Sequence, residues 1–264
     1  MAESPNMTLL GHLGELRDRL IKAGVALVIG TALSLFLFTP ALFDLVIKPM
    51  EPNRPVALRP TETIIVYFKL ALIIGLIVSM PVVLYQTIRF IAPGLTAQER
   101  RSLTYLLPAA TVSFALGVAF AAVVMLPFSI KYLQGFMGDI VRPTYSIDAY
   151  ISFVTSMLFW VGVVFETPLV IFFLAKIGVV TPQFLSSNRK FAIVIVAVVA
   201  AVVTPTPDPF NMLIVMVPLV LLYEVGVLLA RLARPVARPK SESATVAGTE
   251  DESATKGESF NGEG

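Results

Sequence analysis

Few side chains in this sequence can do chemistry, and most of those are carboxylates. Near the amino end, His12, Glu15 and Arg19 share one helical face, while Leu9, Leu13, Leu16 and Leu20 form an apolar stripe on another. Two readings fit. Glu15 and Arg19 form an i,i+4 ion pair on an interfacial helix, or Glu15 is an exposed carboxylate for a cationic ligand. Further on, Thr96 and Glu99 follow the Pro93-Gly94 turn with the spacing of a capping box. Glu99 then serves a backbone N–H, or it is a second carboxylate facing the same compartment as Glu15. Glu166 differs from both, because it follows the mostly apolar stretch 153–165 and precedes another. A charge at the centre of a membrane span costs at least about 2.5 kcal/mol unless it is neutralised, paired or wetted. Glu166 is therefore a functional intramembrane group, or it makes a packing hydrogen bond near the carbonyls freed by Pro168. Asp208 directly before Pro209 suits a helix start. Glu224 suits a snorkelling residue or one paired with Arg231.

Much chemistry is excluded. The chain has no cysteine, so disulfides, thiol catalysis and Cys-containing metal sites are ruled out. His12 is the only histidine, which rules out a His-rich metal site and leaves one candidate for any His-dependent triad. No Gly-Lys pair precedes Ser or Thr, so there is no P-loop. No nucleophile–base spacing stands out, and neither an enzyme, an intramembrane protease among them, nor a cofactor is expected. Energy for any mechanical work would come from a partner or a membrane gradient.

The elements that position these groups are set by composition. Of 264 residues, 56% are hydrophobic and only 14% charged, with a mean hydropathy of +0.81. A soluble domain carries about 25% charge, so this is an integral membrane protein. Apolar stretches long enough for helices lie at about 22–43, 66–90, 103–130, 149–177, 190–206 and 209–231. The fold class expected is all-α, with six transmembrane helices in a domain spanning 1–240. Fourteen of the 20 Lys and Arg residues fall in the segments facing one side, and six face the other. The richer side is expected to be cytoplasmic, which places both termini there. The first apolar run is too long for a signal peptide and lacks a cleavage site. Residues 241–264 carry six acids and one lysine and no apolar period, so a disordered acidic tail is expected. The rest of the chain is about +7, a charge that topology explains without nucleic acid. The last two apolar stretches are joined by a very short connection, 204–209, and the first of them is short for a bilayer. Pro81, Pro108, Pro127, Pro168 and Pro218 predict kinked helices and a concave shape.

Taken together, these segments resemble the TatC family, the core subunit of the twin-arginine protein translocase. The likeness begins at His12-Leu13-Gly14-Glu15-Leu16-Arg17-Asp18-Arg19-Leu20 and continues through Pro60-Thr61-Glu62 and Lys69. It is densest at Pro81, Tyr85-Gln86 and from Phe90-Ile91-Ala92-Pro93-Gly94-Leu95 to Glu99-Arg100-Arg101. Phe165-Glu166-Thr167-Pro168, then Thr204-Pro205 through Asp208, Pro218 and Leu222-Tyr223-Glu224, complete an ordered set over about residues 7–232.

The resemblance implies a receptor for twin-arginine signal peptides of folded cargo. It also implies partnership with the single-span subunits TatA and TatB, self-association within the complex, and transport driven by the protonmotive force across a bacterial or archaeal cytoplasmic membrane. It assigns Glu15 and Glu99 to the two signal arginines, a sensible match because guanidinium forks suit carboxylates. Phe90 lines the same patch, and Arg17 and Arg19 orient it. Pro49 and Asp208 become important outer-side positions. Glu166 becomes an intramembrane polar site for partner helices. The family's usual outer-hairpin Gln is absent; Thr204, Thr206 and Asn211 are the candidates for that polar contact. The competing reading is a proton- or ion-coupled small-solute transporter with Glu166 as relay.

Overall fold

The computed structural model describes residues 9–136, 140, 144–204 and 208–233. The acidic tail at 241–264 and Thr206 lie outside the described residues. Ten α-helices follow in order: α1 (Leu9–Leu33), α2 (Thr39–Ile47), α3 (Glu62–Ile91), α4 (Ala97–Phe120), α5 (Leu126–Gly135), α6 (Ile147–Val164), α7 (Thr167–Lys176), α8 (Pro182–Ser187), α9 (Arg189–Val203) and α10 (Pro209–Leu232). Extended structure among the described residues is limited to an isolated parallel bridge between Val56 and Ser146. The protein is an all-α integral membrane protein. Among the described residues five helical stretches, Gly11–Met50, Glu62–Gly94, Glu99–Gly135, Ile147–Lys176 and Pro209–Leu232, are long and apolar enough to cross a bilayer. With its 15 residues α9 rises about 22 Å, short of a hydrocarbon core of about 30 Å.

Among the described residues, three of the joints in the α-helical ladder stand just ahead of a proline. A π turn at Ser34–Phe38 joins α1 to α2 before Pro40, and a π turn at Ala121–Met125 joins α4 to α5 before Pro127. The break between α6 and α7 precedes Pro168. The pyrrolidine ring conflicts with the carbonyl four residues earlier, and a widened turn or a break relieves that conflict. By contrast, Pro81, Pro108 and Pro218 lie inside uninterrupted helices. Pro40, not singled out from sequence, belongs with Pro127 and Pro168.

The core is built around α6, where ten residues are buried, among them Ile151, Val154 and Met157. They pack with Val66, Leu70 and Ile74 of α3, Met125 and Leu126 near the α4–α5 joint, and Val203 and Val215 of the last hairpin. Lipid is as apolar as these side chains, so close approach through small residues holds such helices together. A Cβ at Gly75 would fall 2.4 Å from the Thr31 Cα, and one at Gly30 would fall 2.6 Å from the Gly75 carbonyl oxygen. The backbones of α1 and α3 therefore touch at mid-height. Helix alternation gathers the start of α1, the Ala92–Gly94 turn, α8 and the end of α10 at one end. The loop after Met50, the start of α6, the end of α9 and the start of α10 lie at the other.

Candidate functional site

At the first end, the polar face of α1 packs on the last turns of α3. The His12 ring stacks on Phe90, with centroids 4.4 Å apart and planes 19° from parallel. Two turns along, Arg19 Nη2 donates to Glu15 Oε1 at 2.9 Å, and Arg19 Nη1 donates to Gln86 Oε1 at 3.2 Å. Both members of the ion pair are largely covered. The second carboxylate oxygen, Glu15 Oε2, is buried and has no hydrogen-bond partner among the described residues. The i,i+4 pair is thus real, and it leaves half of the carboxylate unused.

The leucine stripe faces the other way. Leu13, Leu16 and Leu20 are 61%, 41% and 69% exposed. The interfacial helix read from sequence thus docks on α3 by its polar face and shows its apolar face to the surroundings. Arg17 also turns outward and donates to Asp18 at 3.1 Å on the exposed surface. It stands apart from the patch around Glu15.

Glu99 sits past the Ala92–Gly94 turn. Thr96 N–H donates to Glu99 Oε2 at 2.8 Å, while Glu99 N–H donates to Thr96 Oγ1 at 3.4 Å. This is the capping box expected from the spacing. Glu99 is 1% exposed, so the cap engages its carboxylate inside the fold. Arg100 Nη2 donates to the Ala92 carbonyl at 3.3 Å and steadies the turn.

Glu166 stands at the α6–α7 break. Its carbonyl accepts from Leu169 and Val170, and its side chain makes no capping bond. The expected packing bond to a freed carbonyl is made by another residue: Ser113 Oγ on α4 donates to the Phe165 carbonyl at 2.7 Å. Glu166 Oε1 is left buried without a hydrogen-bond partner among the described residues. Glu224 pairs with Arg189 at 2.8 Å and not with Arg231, because α9 brings Arg189 alongside α10.

At the opposite end, Pro49 lies in a 3-10 turn, Lys48–Met50, whose Met50 is buried. Tyr150 hydroxyl donates to the Val46 carbonyl at 2.5 Å and ties the end of α2, just before this turn, to α6. Thr204 closes α9, donating to the Ala200 carbonyl at 2.8 Å. Asp208 caps α10 as its position before Pro209 predicts: Asn211 N–H donates to Oδ1 at 2.7 Å. Asn211 Nδ2 donates to Asp208 Oδ2 at 2.8 Å, and Asn211 is fully buried.

Sequence reasoning noted Glu62 and Lys69 only as matching positions. The structure makes them a hub. Buried Glu62 accepts from the backbone N–H groups of Leu58, Arg59 and Asp148 and from the Ser146 hydroxyl. Lys69 Nζ donates to Asp148 Oδ1 at 2.6 Å and to Ser152 Oγ at 2.8 Å. The available signal was an acid opening an apolar run and a lysine two turns inside it.

With this geometry in place, comparison with known proteins is direct. The family model for "Sec-independent protein translocase protein (TatC)" matches residues 11–218. A protein of that name from Aquifex aeolicus is 39% identical over 233 residues, covering 86% of this chain and 96% of its own. Another from Carboxydothermus hydrogenoformans is 34% identical over 235 residues, covering 88% and 96%. A crystal structure described as the twin arginine translocase receptor TatC is 38% identical with a TM-score of 0.75, covering 84% of this chain and 99% of that one. The ordered motifs, the helical membrane fold and these likenesses agree: the chain belongs to the TatC family of Sec-independent protein translocase proteins.

Proposed function

We propose that this protein is the signal-peptide receptor and assembly core of a twin-arginine translocase, exporting folded proteins across the bacterial cytoplasmic membrane with the protonmotive force. One observation carries the reading. Glu15 presents a covered carboxylate with one oxygen held by Arg19 and the other unpartnered, beside the His12–Phe90 platform. Such a carboxylate suits an incoming guanidinium, whose planar fork it can accept. Glu99, at the head of α4 on the same end, supplies the second carboxylate once it leaves its cap. The Lys and Arg bias supports a cytoplasmic position for this end, where signal peptides are met before export. Family membership and the solved receptor's fold support this reading over small-solute transport.

TatA- and TatB-type single-span subunits, and further copies of this chain, are the partners in this scheme. Glu166, with its unpartnered oxygen at the α6–α7 break, is the intramembrane contact for a partner helix, and the Thr204–Asp208–Asn211 hairpin is a second contact.

Equilibrium binding of a twin-arginine signal peptide to the full protein in detergent tests the receptor role. The expected result is preference over a twin-lysine version, lost in the Glu15→Ala/Glu99→Ala double variant. Retention of that preference in the double variant would remove these two residues from recognition.

A further inference from the structure

The Glu15–Arg19–Gln86 arrangement has a property that ordinary ion pairing does not require. Arg19 is already a guanidinium on the carboxylate assigned to the ligand's guanidinium. It engages one oxygen only, through Nη2, while its Nη1 rests on Gln86 of α3. The remaining Glu15 oxygen is buried and unpartnered. An arriving cation must therefore uncover one carboxylate oxygen and contend with the resident group for the other.

We propose that Arg19 is an internal competitor that sets the preference for arginine over lysine, an inference that rests on the receptor reading above. Three donors differ in what they can offer the Glu15 carboxylate. The resident Arg19 makes one charge-assisted hydrogen bond to Glu15 and has a second acceptor, Gln86, to fall back on. An incoming arginine can take both carboxylate oxygens with two parallel N–H groups, so it outbids a single-bonded resident. An incoming lysine is a compact point charge on a flexible stem and offers no matching fork. It cannot displace the guanidinium already in place, so it binds the one remaining oxygen beside a like charge, a cost that arginine escapes by sending Arg19 onto Gln86. Selectivity then comes from an element that works against the wrong ligand as well as from contacts to the right one. Gln86 matters because it gives the displaced guanidinium a neutral acceptor on a neighbouring helix, which makes the exchange reversible.

The test uses the full protein in detergent, with a fluorescent twin-arginine signal peptide and the same peptide carrying two lysines. Arg19→Gln removes the competing charge and keeps a polar side chain. The lysine peptide should bind more tightly to this variant, and the arginine-to-lysine affinity ratio should shrink about tenfold, the size of one charge-assisted hydrogen bond. Arg19→Lys, which leaves a weaker competitor, should give an intermediate ratio. If Arg19 only orients Glu15, both peptides will weaken by the same factor and the ratio will hold; that result overturns the proposal while leaving the receptor reading intact. Equal binding of the two peptides to the unmodified protein would instead overturn the receptor reading, and the competitor role with it.

Discussion

His12 lies flat against Phe90, one ring from the first helix and the other from the last turn of α3. It is the chain's only histidine, and it is spent on a stack that fixes α1 against the turn leading to Glu99.

Removing the ring tests that role. His12→Ala should weaken signal-peptide binding about 2- to 10-fold, the worth of an aromatic pair of about 0.5–1.5 kcal/mol. His12→Phe keeps a stacking surface and should restore most of the loss. Fluorescence anisotropy reads both; wild-type affinity in His12→Ala would show the platform to be idle in binding.

The two duties of Glu99 can be separated by the choice of replacement. Glutamine can still close a capping box, so Glu99→Gln should melt near the wild-type temperature, whereas Glu99→Ala should lose stability of about 1 kcal/mol. Peptide binding should fall in both, because both lack the charge. Binding that tracks the melting temperature instead would assign Glu99 to folding alone.

The contact at Gly75 predicts a long-range effect. Gly75→Ala places a methyl group against the Thr31 backbone, and overpacking of this kind costs about 1–3 kcal/mol. The displaced α1 should pull His12 from Phe90 and Arg19 from Gln86, so peptide affinity should drop although no patch residue is changed. Thermal melting paired with peptide titration would reveal it; a destabilised variant with full affinity would show that the patch assembles without this contact.

At Glu166 the expected outcome is a split between recognition and transport. Glu166→Gln keeps the size of the side chain and removes its charge. Peptide binding to the purified protein should stay within about twofold, a difference of under half a kcal/mol, while export of a folded reporter in cells should fall sharply. Normal export would dismiss the intramembrane carboxylate.

Much of this was legible in the chain because it is local. The capping box at Thr96 and Glu99, the Asp208 cap before Pro209 and the Glu15–Arg19 pair each need only residues three or four apart. What escaped is non-local. Glu62 finds Ser146 and the Asp148 backbone 84 and 86 residues away, and no periodicity announces such a meeting. The outward leucine stripe was visible as a stripe, yet its direction was not, since the polar face had its own partners on α3 to satisfy. The prolines were also only half readable. Pro127 and Pro168 stand at breaks while Pro81, Pro108 and Pro218 do not, and the ring conflicts with a carbonyl one turn back in every case, so the spacing alone does not tell them apart.

The backbone contact of Gly30 with Gly75 also makes α1 a lever. Glu15 lies fifteen residues from that fulcrum, about 22 Å along the helix. A tilt of about 5° there would swing the carboxylate by about 2 Å, enough to break its hold on a guanidinium once the His12–Phe90 stack and the Arg19–Gln86 bond give way. Because Leu13, Leu16 and Leu20 ride on the outer side of the same arm, any body pressing on those leucines would work the carboxylate without touching it.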